Sequence, residues 1–343
     1  AGGGMNSATV AVLGDINIDI MMVVPVYPPP GGDALVYENT LRTGGSVANT
    51  AIMLARMGIS AEVYSRTGDD DWADIALNTL RGEGVGLAHV ARDTRAGTGL
   101  IFIPVTPDGE RTMFSYRGAN VLLGPEEIHE ADMAGLSALH FSGYSFLKSP
   151  QREAAWKAVE IAQRLGVPIT LDLGVEPATA LGADLPRLLC CLELIVLGDQ
   201  EVEVITGTQD MQRGITLLLD AGVQTIGLQL GKNGCEVIQM GERARIPGLR
   251  VEVVDTTGAG DAFSAGMIYG GLTGLSLGAR GMLANAFGAL ATTVWGGGAA
   301  LPSLHQALRF LQQQRLDPPA RQYQVEALAA LERCIATGEE RHD

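Results

Sequence analysis

Apolar runs that lack polar alternation recur along this chain of 343 residues, and helix-like segments separate them. Strands of this kind are buried on both faces, as in a parallel sheet covered by helices. Strand–helix alternation with right-handed crossovers places those helices on both faces. The pattern therefore predicts an α/β fold with a doubly wound, mostly parallel sheet flanked by helices. The predicted strands are TVAVLGD, AEVYSRTG, SALHFSGY, PITLDLG, LIVLGD and TIGLQLG, and the predicted helices span 47–57, 73–81, 151–165 and 211–221.

Two stretches interrupt this rhythm. Residues 18–43 contain several prolines and a β-like return, and residues 97–118 contain two β-rich arms joined by Pro-Asp-Gly. A turn signal between two β-rich arms predicts a hairpin. We interpret the two stretches together as a small β-sheet lid over one end of the main domain. The remaining predicted units are the main domain (5–17, 44–96 and 119–315), a C-terminal helical extension (316–343) and a tag remnant (1–4).

Composition narrows the class of protein. Hydrophobic residues make up 46% of the chain and charged residues 18%, which is typical of a folded globular protein. The net charge of −15 argues against nucleic acid and against an anionic membrane surface as partners. The four cysteines form no Cys-x-x-Cys pair, and the sequence shows neither a membrane-length apolar run nor a signal peptide. These features predict a cytoplasmic protein.

The stretch DTTGAGD, from Asp255 to Asp261, combines a strand end, a glycine turn and a helix start. Backbone N–H groups at a glycine-led helix N-terminus form a site for an anion. An aspartate beside an anion is repelled unless it has a task, such as accepting the proton of an attacking hydroxyl in phosphoryl transfer. The alternative is a helix N-cap, and this stretch alone leaves both interpretations open.

A second glycine-led helix start lies upstream, in GGSVANTAIMLARMG. Gly44 and Gly45 open the helix and Asn49 falls in its first turns, while GDINID places Asn17 and Asp19 on one side of an extended chain. Carboxylates and amides in such positions suit the hydroxyls of a sugar, although a plain glycine-led helix start is the alternative. GLQLGKNG does not have P-loop spacing, and no dinucleotide fingerprint is present.

Taken together, GGSVANTAIMLARMG and DTTGAGDAFSAGMI resemble the two signatures of the ribokinase-like, or PfkB-type, carbohydrate kinases. The resemblance spans roughly residues 10–310 and includes GDINID and LANAFGALATTVWGGGAALPS. The family fold is a doubly wound α/β domain with a β-sheet lid, in agreement with the sheet and lid predicted above. The resemblance implies an ATP- and Mg²⁺-dependent kinase, a phosphotransferase that phosphorylates a primary hydroxyl of a small sugar. It also implies a homodimer formed through the lid.

The resemblance further implies a role for each matching position. Asp261 would be the catalytic base, and the backbone of Gly258, Ala259 and Gly260 would form the anion hole. The sugar would contact Asn17, Asp19, Gly44, Gly45, Asn49 and Asp255. The nucleotide would lie against Gln229, Gly231, Gly234 and Asn285, with Gln229 where the family commonly has Thr. A monovalent cation such as K⁺ would be bound by Asp255, Thr257, Ser303 and the carbonyls of Ala291 and Val294.

Other positions concern magnesium and the choice of substrate. Glu201 matches the family's acid that holds Mg²⁺ through water, but Gly198 stands where Asn is usual. Arg117 could bind a carboxylate or phosphate of an acidic sugar, or form a surface ion pair, and Tyr144 is a further candidate substrate contact. Ribose, fructose and 2-keto-3-deoxygluconate all remain open as substrates. The alternatives are a nucleoside kinase of the same family and a sugar-binding protein with weak or no catalysis.

Overall fold

The computed structural model describes residues 8–107 and 111–339. The predicted tag remnant and the Asp-Gly of the lid turn fall outside these residues. The described residues form thirteen strands and twelve α-helices. The strands are β1 (Thr9–Leu13), β2 (Asn17–Val23), β3 (Glu38–Gly44), β4 (Ser60–Gly68), β5 (Gly86–Asp93), β6 (Gly99–Val105), β7 (Phe114–Tyr116), β8 (Ala138–Ser142), β9 (Ile169–Asp172), β10 (Leu192–Gly198), β11 (Thr225–Gln229), β12 (Cys235–Gln239) and β13 (Glu242–Ile246).

The helices are α1 (Ser46–Arg56), α2 (Asp71–Gly82), α3 (Glu130–Met133), α4 (Gln151–Leu165), α5 (Val175–Leu181), α6 (Leu185–Leu189), α7 (Asp199–Thr206), α8 (Met211–Asp220), α9 (Ala259–Leu272), α10 (Leu277–Ala291), α11 (Leu304–Gln313) and α12 (Ala320–Glu339). The four helices predicted from sequence correspond to α1, α2, α4 and α8, with ends that differ by two residues at most. The described part of the chain contains no helix with both the length and the apolar character needed to span a bilayer.

A nine-stranded sheet forms the centre of the molecule, in the order β13-β12-β11-β10-β9-β8-β1-β4-β5. Neighbours from β11 to β5 are parallel, whereas β12 and β13 are antiparallel at one edge. The prediction of a mostly parallel sheet is confirmed, and all six predicted strands belong to it. The unpredicted strands β5 and β13 lie at the two edges and are largely half-buried or exposed, so they lack the continuous apolar run of a central strand.

Alternate side chains of β1 enter two separate hydrophobic cores. Val10 and Val12 pack in a core with residues of α1, α9 and α10, whereas Ala11 and Leu13 pack in a core with residues of α4. The sheet is therefore covered on both faces, as the sequence predicts for strands without alternation. The C-terminal helix α12 adds Leu331 to the first core, with Leu328 and Ile335 packed beside it. Val325 lies outside this contact and is 62% exposed.

A separate four-stranded sheet, in the order β3-β2-β6-β7, corresponds to the predicted lid. Strand β2 pairs with β3 antiparallel and with β6 parallel, and β6 pairs with β7 as the predicted hairpin. On one face, Met21 and Ile103 are buried, and Asp19 lies on the same face by strand parity. On the other face, cross-strand neighbours Leu41, Ile20, Phe102 and Phe114 form a continuous row. The exact domain boundaries stay a prediction.

Candidate active site

Asp261 occupies the third position of α9, not the N-cap. The helix begins at Ala259, and its N-cap is Gly258 with φ of 77°, a left-handed conformation that favours glycine. The hydrogen bond from the Ala262 N–H to the Gly258 carbonyl (2.9 Å) closes the first turn. The N-cap interpretation of Asp261 is therefore wrong, and its carboxylate is available for another role at the positive end of the helix.

Asn49, on α1, holds the Asp261 carboxylate in place. Its Nδ2 donates to Oδ2 of Asp261 (2.7 Å), and its Oδ1 accepts from the N–H of Gly298 (2.8 Å). A side chain at Gly297 would collide with Asn49, because an ideal Cβ there lies 2.5 Å from Oδ1. The structure thus gives Asn49, predicted as a sugar contact, a positioning contact with the predicted base. The glycines at 296–298 that fix this contact were not identified from the sequence.

The acids around Asp261 set its proton affinity. Burial and the charges of Asp172 and Asp19 raise the pKa of Asp261 to about 8, while the hydrogen bond from Asn49 lowers it. Burial and the charge of Glu201 raise the pKa of Asp172 to about 6, against the hydrogen bond from Ser264 (3.0 Å). A general base works best when its pKa lies near the operating pH. Asp172, which ends β9, was not among the predicted site residues, although it lies in the predicted strand PITLDLG.

Asp19 projects from β2 of the lid and is only 2% exposed. Burial, followed by the charge of Asp255, raises its pKa to about 7, and its Oδ1 has no hydrogen-bond partner among the described residues. Gly44 leaves the space that this carboxylate needs, because an ideal Cβ on Gly44 would lie 2.2 Å from Oδ2 of Asp19. A buried acceptor without a donor is unfavourable, so the geometry suits a ligand hydroxyl that donates to Oδ1.

The neighbouring positions Gly45 and Asn17 are fixed by the backbone around them. Gly45 has φ of 97°, and an ideal Cβ there would lie 2.1 Å from the Asp15 carbonyl oxygen. Asn17 accepts at Oδ1 from Nδ2 of Asn120 (2.9 Å). Asn120 is fully buried in the GAN turn after the lid hairpin and also bonds both backbone groups of Ile16. Asn120 ties this turn to the site, and it was not among the site residues predicted from the sequence.

Asp255 differs in part from its predicted roles. Four donors reach its carboxylate: Nη1 of Arg111, the N–H and the hydroxyl of Thr257 (3.1 and 2.9 Å), and the N–H of Gly296 (2.8 Å). A carboxylate offers about four lone-pair positions. Three of these donors converge on Oδ1, and only the N–H of Gly296 reaches Oδ2. The protein therefore occupies Oδ1 fully, while a contact of Oδ2 with a sugar hydroxyl or a monovalent cation stays a prediction.

Other residues of the predicted cation loop also have structural partners. The Ser303 hydroxyl caps α11 by accepting from the N–H of Gln306 (3.2 Å), and the Thr257 hydroxyl accepts from Nη1 of Arg111 (2.9 Å). Ala291 is the last residue of α10, and Val294 lies three residues beyond it. Carbonyl coordination by Ala291 and Val294 stays a prediction.

Arg117 forms an ion pair, which is one of the two roles that the sequence left open for it. Its Nε and Nη2 donate to the two carboxylate oxygens of Asp15 (2.7 and 2.8 Å), and Nη2 also donates to Gln151 (2.5 Å). Such a bidentate pair already uses the geometry that would bind a substrate carboxylate. Tyr144 lies in a short 3₁₀ segment after β8 and is partly exposed, so it could contact a substrate, which stays a prediction.

A cavity of about 730 Å³ opens beside the start of α9. Its lining contains all four residues predicted to contact the nucleotide, together with Ala259 and Gly260 of the predicted anion hole. Leu249, Val251 and Phe263 provide apolar walls, and Lys232 and Arg250 add positive charge. The predicted nucleotide residues are Gln229, Gly231, Gly234 and Asn285.

Glu201 closes the first turn of α7, since its Oε2 accepts from the N–H of Gly198 (2.9 Å). Gly198 therefore serves as the N-cap at the position where Asn was expected. Glu201 is close enough to raise the pKa of Asp172, and an ideal Cβ on Gly260 would lie 3.7 Å from Oδ2 of Asp172. The Asp172 carboxylate thus lies beside the anion-hole turn, with the charge of Glu201 acting on it. Within the described residues, no group of three or more His, Cys, Asp or Glu side chains could bind a metal by itself.

Comparison with known proteins agrees with this geometry. The model of the pfkB family carbohydrate kinases matches residues 7–304. A ribokinase of Staphylococcus aureus is 31% identical, over 74% of this chain and 83% of its own length, and fructokinase-1 of Zea mays is 28% identical, over 78% and 88%. The structure of Arabidopsis thaliana ribokinase with ribose and ATP shares the fold, with a TM-score of 0.77 at 22% identity over 90% of this chain and all of that one. The chain belongs to the pfkB family of carbohydrate kinases, which are phosphotransferases with an alcohol group as acceptor.

Proposed function

We propose that this protein transfers the γ-phosphoryl group of ATP to a primary hydroxyl of a small neutral sugar, such as ribose or fructose. One observation carries the proposal: the Asp261 carboxylate is held by Asn49 in the first turn of α9, directly after Ala259 and Gly260, which line the cavity together with the predicted nucleotide residues. A base in that place can accept the hydroxyl proton while helix N–H groups face the transferred phosphoryl group. The relatives named above act as ribokinase and fructokinase, which fits the same chemistry.

The anion hole would use the backbone of the glycine turn. Its N–H groups lie at the start of α9, where the helix dipole favours negative charge. The N–H of Ala259 donates to the Thr256 carbonyl across the turn at 3.3 Å, a long hydrogen bond with which an anion could compete. Gly258, Ala259 and Gly260 therefore act as one unit, fixed by the left-handed conformation of Gly258. Stabilisation of developing charge by such preorganised donors is commonly the largest contribution to catalysis.

The charges around the site favour a neutral sugar over an acidic one. Asp19 and Asp261 would face the sugar, and burial together with neighbouring carboxylates raises the pKa of each, to about 7 and about 8. Arg117, the candidate partner for a sugar carboxylate, is bound by Asp15. A substrate carboxylate would meet repulsion without a free guanidinium to offset it. Ribose and fructose are therefore better candidates than 2-keto-3-deoxygluconate.

The residues present also fit Mg²⁺ bound with the nucleotide. Mg²⁺ is held by one or two carboxylates together with substrate phosphates. Asp172, beside the glycine turn, and Glu201, whose charge acts on it, offer such carboxylates. When bound, the ion would neutralise negative charge on the phosphates. Ser264 keeps the Asp172 carboxylate oriented from α9. The proposed cofactors are thus ATP and Mg²⁺.

The proposed function is tested by Asp261→Asn. The matched control is Asp220→Asn, at an exposed residue that ends α8. Release of ADP is measured with ribose, fructose, 2-keto-3-deoxygluconate and adenosine as acceptors. We expect wild-type turnover on a neutral sugar, a fall in kcat of about 10²–10⁴-fold in Asp261→Asn, and no change in Asp220→Asn. Turnover by Asp261→Asn at the wild-type rate would disprove the role of the base. Sugar-dependent thermal shifts without any turnover by the wild type would support a binding protein, and preference for adenosine would support a nucleoside kinase.

We further propose that the lid sheet joins two copies of the chain. Leu41, Phe102 and Phe114 are large, exposed and adjacent across the strands, with Ile20 between the first two. A continuous apolar face of this kind is typical of an interaction surface. A second copy presenting the same face would cover it around a two-fold axis, as in most soluble homodimers. The resemblance of the chain to its family led to the same expectation.

A further inference from the structure

Arg111 extends from the lid to the loop that leads into the glycine turn. Its Nη1 donates to Oδ1 of Asp255 and to the hydroxyl of Thr257 (2.9 Å), and its Nη2 donates to the hydroxyl of Thr256. Thr256 also lines the proposed nucleotide cavity. One guanidinium thus connects three consecutive residues of the loop between β13 and the anion hole. The sequence predicted a strand end near Asp255, but the last strand ends at Ile246. This contact could not be predicted from the sequence pattern, because Arg111 and Asp255 are 144 positions apart.

The backbone of Arg111 belongs to the lid hairpin. Arg111 forms an antiparallel bridge with Val105, and the N–H of Thr112 donates to the Pro104 carbonyl (3.2 Å). The side chain is 29% exposed, whereas the Asp255 side chain is 2% exposed. An ion pair in which one carboxylate is buried and four donors satisfy it is costly to break, because the carboxylate would lose a charged partner away from water. The position of this cation therefore depends on the position of the lid.

The contact with Arg111 occupies oxygen atoms that a monovalent cation at this loop would need. A metal ion needs free lone pairs on its oxygen ligands, and Oδ1 of Asp255 has none left, because Arg111 and two donors of Thr257 converge on it. The Thr257 hydroxyl is also bound by Arg111, and the Ser303 hydroxyl caps α11. A positive charge nevertheless lies against the loop, in the form of a guanidinium.

We infer that the guanidinium of Arg111 takes the place of a monovalent cation at the Asp255–Thr257 loop, so that this kinase does not depend on K⁺. The inference rests on the kinase activity proposed above and makes Arg111 a positioning residue. Arg111 binds the loop beside the anion hole and offsets the charge of Asp255 in an acidic site. Because Arg111 belongs to the lid, the same element that covers the site also supplies the positive charge at the loop.

The test compares wild type, Arg111→Ala, Arg111→Lys and a control, Arg92→Ala. Arg92 forms an ion pair with Asp69 and Asp74 on the surface of the main domain, so its loss removes a cation without touching the loop. Each protein is assayed in KCl, NaCl and choline chloride at equal ionic strength, with and without millimolar guanidinium chloride. We expect wild type and Arg92→Ala to keep the same kcat, within about twofold, in all three salts. We expect kcat of Arg111→Ala to fall at least tenfold, and K⁺ or guanidinium to restore part of it.

A second readout requires no turnover. The melting temperature of Arg111→Ala should rise specifically in KCl relative to choline chloride, whereas that of the wild type should not. Arg111→Lys should retain more activity than Arg111→Ala, because an ammonium group keeps the charge but not the planar fork. Activation of the wild type severalfold by K⁺, or full activity of Arg111→Ala in choline chloride, would overturn the inference. If the wild type phosphorylates no sugar, the proposed function fails, while the salt-specific melting temperatures still test the cation site.

Discussion

The two sides of the active site are built on different principles. On the main-domain side, Asp261 is positioned by the start of α9 and by Asn49, which the N–H of Gly298 holds in turn. On the lid side, Asp19 and Arg111 project from a thin sheet whose other face carries exposed apolar residues. Preorganised groups on rigid elements suit the chemical step, whereas a thin lid suits substrate choice and exclusion of water. This comparison predicts that changes on the main-domain side lower kcat in every salt. Changes on the lid side should instead alter KM or assembly or, at Arg111, lower kcat in a way that an added cation partly restores.

Gly45→Ala should have the largest effect on stability and activity, because Gly45 joins β3 of the lid to α1 of the main domain. The φ of 97° alone is worth about 1–3 kcal/mol of strain for a residue with a Cβ, and the clash with the Asp15 carbonyl adds to it. We expect a clear loss of thermal stability and of activity. Gly82→Ala at the end of α2 is the matched control, because its added Cβ meets no atom within 4 Å. Equal melting temperatures for the two variants would show that the junction tolerates a side chain.

Asn49→Ala should lower kcat by about 10–100-fold, since a hydrogen bond to a charged group contributes about 1.5–3 kcal/mol. The loss of this donor also raises the pKa of Asp261, so the acidic limb of the kcat/KM profile should move to higher pH. Asn78→Ala, an exposed amide on α2, is the control. Steady-state kinetics across pH measure both effects. A change confined to the KM for sugar would instead make Asn49 a substrate contact, as the sequence predicted.

The pH dependence itself reports the acidic cluster. The base must be ionised, so kcat/KM should rise with pH through a limb near pH 8, with an apparent value shared among the coupled acids. Asp172→Asn removes a negative neighbour and should move this limb to lower pH, opposite to Asn49→Ala. An unchanged limb in Asp172→Asn would show that Asp172 does not act on the base.

The stability of the folded protein should also depend on pH through this acidic cluster. It should fall with rising pH, whereas kcat/KM rises. The folded pKa of Asp261 lies above its unfolded value, so this group favours the folded state most at low pH, and that contribution is lost as pH rises through about 8. Asp261→Asn should therefore raise the melting temperature most at pH 8–9 and least near pH 4. Thermal unfolding of wild type and Asp261→Asn across this range measures the difference. A gap that narrows with rising pH would contradict the raised pKa.

The smallest effect on chemistry is expected from the outer face of the lid. The double variant Phe102→Asp, Phe114→Asp should convert a dimer into monomers while kcat changes by less than about threefold. Ile75→Asp on α2, another exposed apolar position, is the control and should leave assembly unchanged. Light scattering coupled to size-exclusion chromatography gives the mass in each case. A wild-type protein that is monomeric at all concentrations would refute the proposed interface.

The sequence by itself determined the central sheet, since strands buried on both faces are continuous apolar runs that a linear pattern reveals. It also identified Asp261 and the glycines around it, because a turn that needs a left-handed residue limits the choice of residue locally. It did not identify Asp172, Asn120 or Arg111 as site residues. Their roles arise from contacts between positions 92 to 144 residues apart, such as those with Ser264 and Asp255. Only the tertiary structure decided those contacts, because packing brings together side chains whose spacing in the sequence carries no information about them. The same reason explains why Oδ1 of Asp255, a residue predicted to bind sugar and cation, is occupied by donors of the protein itself.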